Sequence, residues 1–144
     1  MTSPSAVEAT EDSPAAFRKP VVLLTELFPP DVGGTPSLFE NVYSRISARP
    51  VTVLTDTRDG AAATSVRVIR FPMSTHGHWG LTSTASFGRH LRVARQLRAE
   101  MAPAPVIVHC ARVLPEGLSA WMATRLHRSS RYVCWTHEIG RAHV

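Results

Sequence analysis

Lysine is almost absent from this chain. Of its sixteen cationic side chains only Lys19 is a lysine, and the others are arginines. Guanidinium groups suit bidentate contact with phosphate, although a GC-rich genome produces the same bias. Cysteine is as scarce. Cys110 and Cys134 stand in or beside strand-like apolar runs, where a buried free thiol is expected. Cys110, His109, Cys134 and His137 do not make a zinc set, because no paired knuckle is present. Cys134 and His137 are three apart, which puts them on opposite faces of an extended strand and argues against a nucleophile pair. No apolar run approaches the roughly eighteen residues of a spanning helix. Residues 1–20 have no apolar core segment and carry acids early, so no secretory signal is expected and the expected location is cytoplasmic. No basic patch is interleaved with aromatics, so no nucleic-acid partner is expected.

What remains is a chain of 144 residues, 44% hydrophobic and 19% charged, with a formal charge of +5. That is enough for one packed domain and suits an anionic partner such as a nucleotide or a membrane surface. Residues 1–19 are rich in Ser, Ala, Pro and acids and read as a disordered leader. The organising stretch is Val21–Pro36, VVLLTELFPPDVGGTP. A near-continuous apolar strand, Val21–Thr25, fits a parallel strand covered on both faces. It leads into a loop with a stiff Pro29–Pro30 corner and the permissive pair Gly33–Gly34. Thr35 as N-cap and Pro36 as N1 then open a helix with Leu38, Phe39, Val42, Tyr43 and Ile46 as its apolar stripe. The free N–H groups at its start suit a phosphate or another anion, and a tight turn with no ligand is the plain alternative.

Further along, Val51–Thr55 reads as a second strand and Val66–Phe71 as one nearer an edge. Residues 73–84 form a loop with His76, His78 and Trp79, and no acidic or sulfur ligand beside them supports a metal. A helix over Ser86–Met101 puts Phe87, Leu91, Ala94, Leu97 and Met101 on one face. Arg89, Arg92, Arg95 and Arg98 step around the other, either as a solvated face or in contact with anionic lipid or phosphate. Val106–His109 is the next strand. Ala111–Gly117 is the loop after it, with Pro115 and Glu116 placed to open a helix. That helix carries Leu118, Trp121, Met122 and Leu126 with a snorkelling Arg125. Arg131–Thr136 is a fifth strand ending at His137. The order β-α-β-β-α-β-α-β predicts an α/β, Rossmann-like open parallel sheet. Gly33, Gly34, Glu116 and His137 fall beyond the carboxyl ends of its strands, where such folds bind ligands.

ELFPPDVGG, at Glu26–Gly34, resembles the opening loop of the GT-B glycosyltransferases, particularly glycosyltransferase family 4. VIVHCARVLPEGLSA, at Val106–Ala120, is similar to a loop and helix of the phosphatidylinositol-mannoside and related actinobacterial mannosyltransferases. YVCWTH, at Tyr132–His137, resembles their strand ending in His-Gly. The resemblance implies that residues 20–137 are the N-terminal, acceptor-side half of a two-domain GT-B fold. It implies retaining transfer of a mannose- or glucose-type sugar from a GDP- or UDP-sugar to a lipid or saccharide acceptor, with no separate cofactor or metal. Gly33 and Gly34 would then approach the donor phosphate or the acceptor. Glu116 would lie on the acceptor side, and His137 would stand by the reacting sugar as the catalytic residue. The family's nucleotide-sugar is held mainly by a C-terminal domain with a basic pair and a Glu-x7-Glu element, which this chain does not contain. The junction ISARPVTVLT lacks the family's Gly-His-x-Val turn. A peripheral contact with anionic lipid at the inner face of the plasma membrane is one partner the arginines admit.

The final residues, 138–144, read EIGRAHV. The codons GAG ATC GGA AGA GCA CAC GTC encode them, and from the second base this string is a common sequencing-adapter sequence. Residues 138–144 are therefore expected to be an artefact, and the chain a truncated transferase inactive by itself. Two rivals share the architecture: a sugar-nucleotide epimerase and a non-catalytic Rossmann-like binding domain.

Overall fold

The computed structural model describes residues 19–46, 48–60, 64–73, 83–127 and 129–135. His76, His78, Trp79 and His137, with residues 1–18 and 138–144, lie outside the described residues. Five strands form one sheet: β1 (Val21–Leu24), β2 (Val51–Thr55), β3 (Arg67–Arg70), β4 (Ile107–Cys110) and β5 (Arg131–Cys134). Their spatial order is β3-β2-β1-β4-β5, and every pairing is parallel. The fold is thus the expected α/β, Rossmann-like open sheet. All four residues of β1 are buried, as a central strand covered on both faces requires. β3 has arginines at both ends of a Val-Ile pair and lies at one edge, as its mixed sequence suggests.

Strand alternation feeds two apolar layers. Val21, Leu23, Val51 and Val53 pack with Phe28, Phe39 and Tyr43 against α1 (Gly34–Tyr43). Val22, Leu24, Leu54, Val108 and Cys110 pack on the opposite face against α2 (Thr84–Met101) and α3 (Leu118–Thr124). A single π-turn, Val113–Gly117, precedes α3 and is closed by Gly117 N–H donating to the Arg112 carbonyl at 3.1 Å. The Pro29–Pro30 and Leu114–Pro115 sequences contain cis peptide bonds.

Several faces differ from their expected assignments. The N-cap of α1 is Gly33, so Thr35 falls inside the first turn and caps nothing. Gly33 has φ +153°, a conformation that threonine would adopt only under strain. Leu38 is exposed. On α2 the buried set is Ser86, His90, Val93, Ala94, Leu97 and Met101, and Phe87 is 53% exposed. The cause is polar contact between helices: His90 Nδ1 lies 3.2 Å from Ser119 Oγ, which donates to the Pro115 carbonyl. With the serine proton engaged, His90 carries its own proton on Nδ1. Trp121 is also exposed, and the Arg125 guanidinium lies over its ring at 5.1 Å.

A second histidine braces the other face. Trp135 Nε1–H donates to the Tyr43 hydroxyl at 3.1 Å, and that hydroxyl lies 2.7 Å from His109 Nδ1. Tyr43 and His109 Nδ1 thus share one hydrogen bond, for which either ring can supply the proton. Burial pushes the Tyr43 hydroxyl up to about 12. Burial and the Arg49 charge hold His109 below its ordinary value, and burial and Arg89 do the same for His90.

Two outcomes follow from this packing. Leu54→Ala removes a side chain with no exposed surface and should cost about 3 kcal/mol in urea unfolding; a cost below about 1 kcal/mol would show that the core collapses around the gap. Both histidines are neutral in the fold, and the unfolded chain takes up their protons near 6.5. Stability is therefore full above that value and falls as pH drops below it. Thermal unfolding should show a lower Tm at about pH 5.5 than at about pH 7.5, and a flat profile would contradict the buried neutral assignment.

Candidate functional site

The chain leaves β1 toward β2 and β3 on one side, and β4 and β5 lie on the other. The strand order therefore reverses between β1 and β4. In open parallel sheets the crevice outside the carboxyl ends at such a point is where ligands bind. Here it is formed by Thr25 and Glu26 after β1 and by Ala111 and Arg112 after β4. The Thr25 and Ala111 N–H groups continue the sheet by donating to the Leu54 and Leu24 carbonyls, each at 3.0 Å. Beyond them lies a cavity of about 70 Å³ lined by Thr25, Leu27, Thr35, Ala111 and Arg112.

Arg112 dominates the floor of this crevice. Its Nη2 donates to Glu26 Oε2 at 2.7 Å and to Glu116 Oε1 at 2.8 Å, and its Nε reaches both Glu116 oxygens at 3.3 Å. The Glu26 backbone N–H also donates to Glu116 Oε1, at 3.3 Å. Glu116 has no exposed side-chain surface, whereas the arginine side chain is 42% exposed. A buried carboxylate is tolerable only with such partners. Burial disfavours the arginine charge, but the Glu116 and Glu26 carboxylates outweigh it and raise the guanidinium above its ordinary value. Two carboxylates and one guanidinium leave the cluster formally negative by one charge.

The loop between β1 and α1 is held by a second set of charges. Asp56, buried at the end of β2, accepts from the Thr57 and Met73 N–H groups at 2.9 and 2.8 Å and pairs with Arg58 at 3.3 Å. Arg58 also reaches Asp31 at 3.1 Å. Arg70 donates to the Pro29 carbonyl and, at 3.4 Å, to that of Asp56. The Pro29–Asp31 corner is thereby tied to β2 and β3.

Gly33 and Gly34 are both exposed at the entrance of α1, next to the cavity-lining Thr35. No side chain caps this helix, and its first turn holds no acid. A side chain at Gly34 would meet nothing within 4 Å. The fold brings Gly33, Gly34 and Glu116 to one end of the sheet. Glu116, expected in an acceptor-side loop, directs its carboxylate inward to Arg112 instead of outward to solvent. His137 cannot be placed, since it lies outside the described residues. Sequence reasoning missed Arg112 and the pairing role of Glu26. The signals were the i,i+4 spacing of Arg112 and Glu116 and the position of Glu26 directly after a buried strand. Two larger hollows lie elsewhere: about 600 Å³ beside α3 and β5, and about 510 Å³ at the amino ends of β2 and β3. Neither adjoins the reversal of strand order. Among the described residues no group of three or more His, Cys, Asp or Glu side chains could hold a metal ion, and no helix is long and apolar enough to cross a membrane.

No protein-family model matches this chain, and no curated protein matches it. The site must therefore be read from its own geometry.

Removing the arginine leaves Glu116 buried with an unpaired charge. Arg112→Met should cost on the order of 3 kcal/mol, the exposure of the arginine keeping the loss near the lower end for a buried pair. Arg112→Met combined with Glu116→Leu should be more stable than Arg112→Met alone. Urea unfolding of the variants checks both, and a single variant as stable as the parent would show that the cluster contributes little.

Proposed function

We propose that residues 20–137 are the acceptor-side, N-terminal domain of a GT-B glycosyltransferase of the family 4 type. The complete enzyme would move a mannose- or glucose-type sugar, with retention, from a GDP- or UDP-sugar to a lipid or saccharide acceptor. The observation that carries this reading is the placing of the Glu26–Gly34 motif. Its Leu27 and the Thr35 that follows it line the crevice at the reversal of strand order, Glu26 pairs with Arg112 there, and its Gly-Gly pair stands at the adjoining helix entrance. That is where a transferase of this architecture would need to admit a substrate.

In this reading Gly33 and Gly34 keep side chains away from the substrate path, and the uncapped start of α1 favours a phosphate. Glu116 is a positioning residue. It acts through Arg112, whose exposed part borders the cavity. His137 follows β5 and would complete the site as the catalytic residue beside the reacting sugar. The exposed arginines of α2, Arg92, Arg95 and Arg98, would provide a peripheral contact with anionic lipid.

The test begins at the gene. Resequencing of the locus through codon 137 is expected to show the frame continuing into a second Rossmann-like domain with a Glu-x7-Glu element. The enzyme made from that frame should transfer labelled hexose from GDP-mannose or UDP-glucose to a lipid or polysaccharide fraction. The 144-residue chain alone should show no turnover. A genuine stop after Val144, or tight donor binding and turnover by the short chain, would overturn the proposal.

A further inference from the structure

The cysteines are far apart in sequence and adjacent in the fold. Cys110 ends β4 and Cys134 ends β5, and the two are direct partners in the parallel register. Neighbouring strands run about 4.8 Å apart, within the span of Cα separations that a disulfide bridges. Equal register also puts both side chains on the same face of the sheet. There Cys110 is part of the layer beneath α2 and α3, and Cys134 packs against that layer from its margin. The sulfurs are close enough for the thiols to hydrogen-bond. Both are free, with Cys110 fully buried and Cys134 only partly so.

The Cys134 sulfur occupies a notch left by Gly117. A Cβ on residue 117 would stand 2.7 Å from that sulfur and 3.3 Å from the Arg112 carbonyl. The same carbonyl accepts the hydrogen bond that closes the π-turn. The thiol is therefore packed against the turn that carries Glu116 to Arg112.

We propose that Cys110 and Cys134 form a peroxide-responsive dithiol whose oxidation to an intramolecular disulfide alters the Arg112–Glu116 turn. Cys134, the more accessible thiol, reacts first. Its thiolate attacks hydrogen peroxide: an S–O bond forms, the O–O bond breaks, and the departing hydroxide takes up the proton that the Cys134 thiol had given to solvent, leaving as water. The resulting sulfenic acid lies beside Cys110. The Cys110 sulfur then attacks the Cys134 sulfur, the S–S bond forms, the S–O bond breaks, and the departing hydroxide takes the Cys110 proton as a second water. Burial and the neighbouring Cys134 charge hold the Cys110 thiol well above its ordinary value. Drawing the Cys134 sulfur toward Cys110 moves it out of the Gly117 notch.

The experiment is peroxide titration of the 144-residue chain, read by intact mass without reductant and by hydrogen exchange. The expected product is a monomer lighter by two hydrogens, reversed by dithiothreitol. Faster exchange is expected at the Gly117 amide after oxidation. In Cys110→Ser, a dimedone adduct or sulfinic acid should accumulate at Cys134. In Cys134→Ser, Cys110 should stay reduced under the same treatment. Three results would overturn the proposal: sulfinic acid at Cys134 of the parent chain with Cys110 still reduced, disulfide only between two copies, or no reaction at peroxide levels that oxidise a cysteine peptide. A disulfide with unchanged exchange at Gly117 would sink the link to the Arg112 turn. The parent chain alone decides the matter if either variant fails to fold.

Discussion

The carboxylate of Glu116 is buried where the sheet reverses its strand order, and it can stay there only because Arg112 and the Glu26 backbone reach it. Desolvating a carboxylate costs several kcal/mol. That cost is offset only if β1, the β4 loop and the π-turn keep their relative positions. The cluster is thus less a source of stability than a specification of geometry. It joins residue 26 to residues 112 and 116, which lie 86 and 90 positions further along the chain, and leaves the outer part of one guanidinium at the wall of a small cavity. Its negative balance also matters. A free phosphate approaching Arg112 meets two carboxylates already paired with it, whereas a hydroxyl group can donate to the partly exposed carboxylate of Glu26. The uncapped start of α1 has no acid in its first turn, so the two sides of the crevice differ in the charge they tolerate.

The same logic explains why the first loop keeps its form despite having few apolar anchors. Phe28 is fully buried, but the corner after it is held by ions and carbonyls. Arg70 grips the Pro29 carbonyl, Arg58 grips Asp31, and Asp56 collects two backbone N–H groups. Loops of this kind carry function because a stiff scaffold positions them.

The parallel sheet was legible because β1, β2 and β4 are short apolar runs separated by Gly, Pro and polar turns, and because a long crossover, most often a helix, joins parallel neighbours. The positions of Gly33, Gly34 and Glu116 at the carboxyl end followed from that order. The side-chain partners did not. Arg112 looks like any solvated arginine until β1 is placed next to β4, and Glu116 looks like a helix-start acid until its burial is seen. The faces of α2 were misassigned for a related reason. Hydrophobicity favours Phe87 over His90, but His90 has a hydrogen-bonding partner on α3 and Phe87 points away from it. The adjacency of Cys110 and Cys134 is likewise a fact of strand order, invisible in a linear spacing.

The positive charge of the chain has a different location from its crevice. Arg92, Arg95 and Arg98 are exposed on α2, across the sheet from α1, whereas the charges at the cavity wall are those of one guanidinium and two carboxylates. An overall charge of +5 therefore describes an outer helix face, since the Arg112 cluster at the crevice is formally negative by one. At physiological ionic strength fields from exposed charges decay over about 8 Å. The α2 arginines can hold a large anionic surface against that side of the domain. They act only weakly on a small anion on the far side of the sheet, so recognition in the crevice depends on the local arrangement of Arg112, its two carboxylates and the start of α1, which no side chain caps.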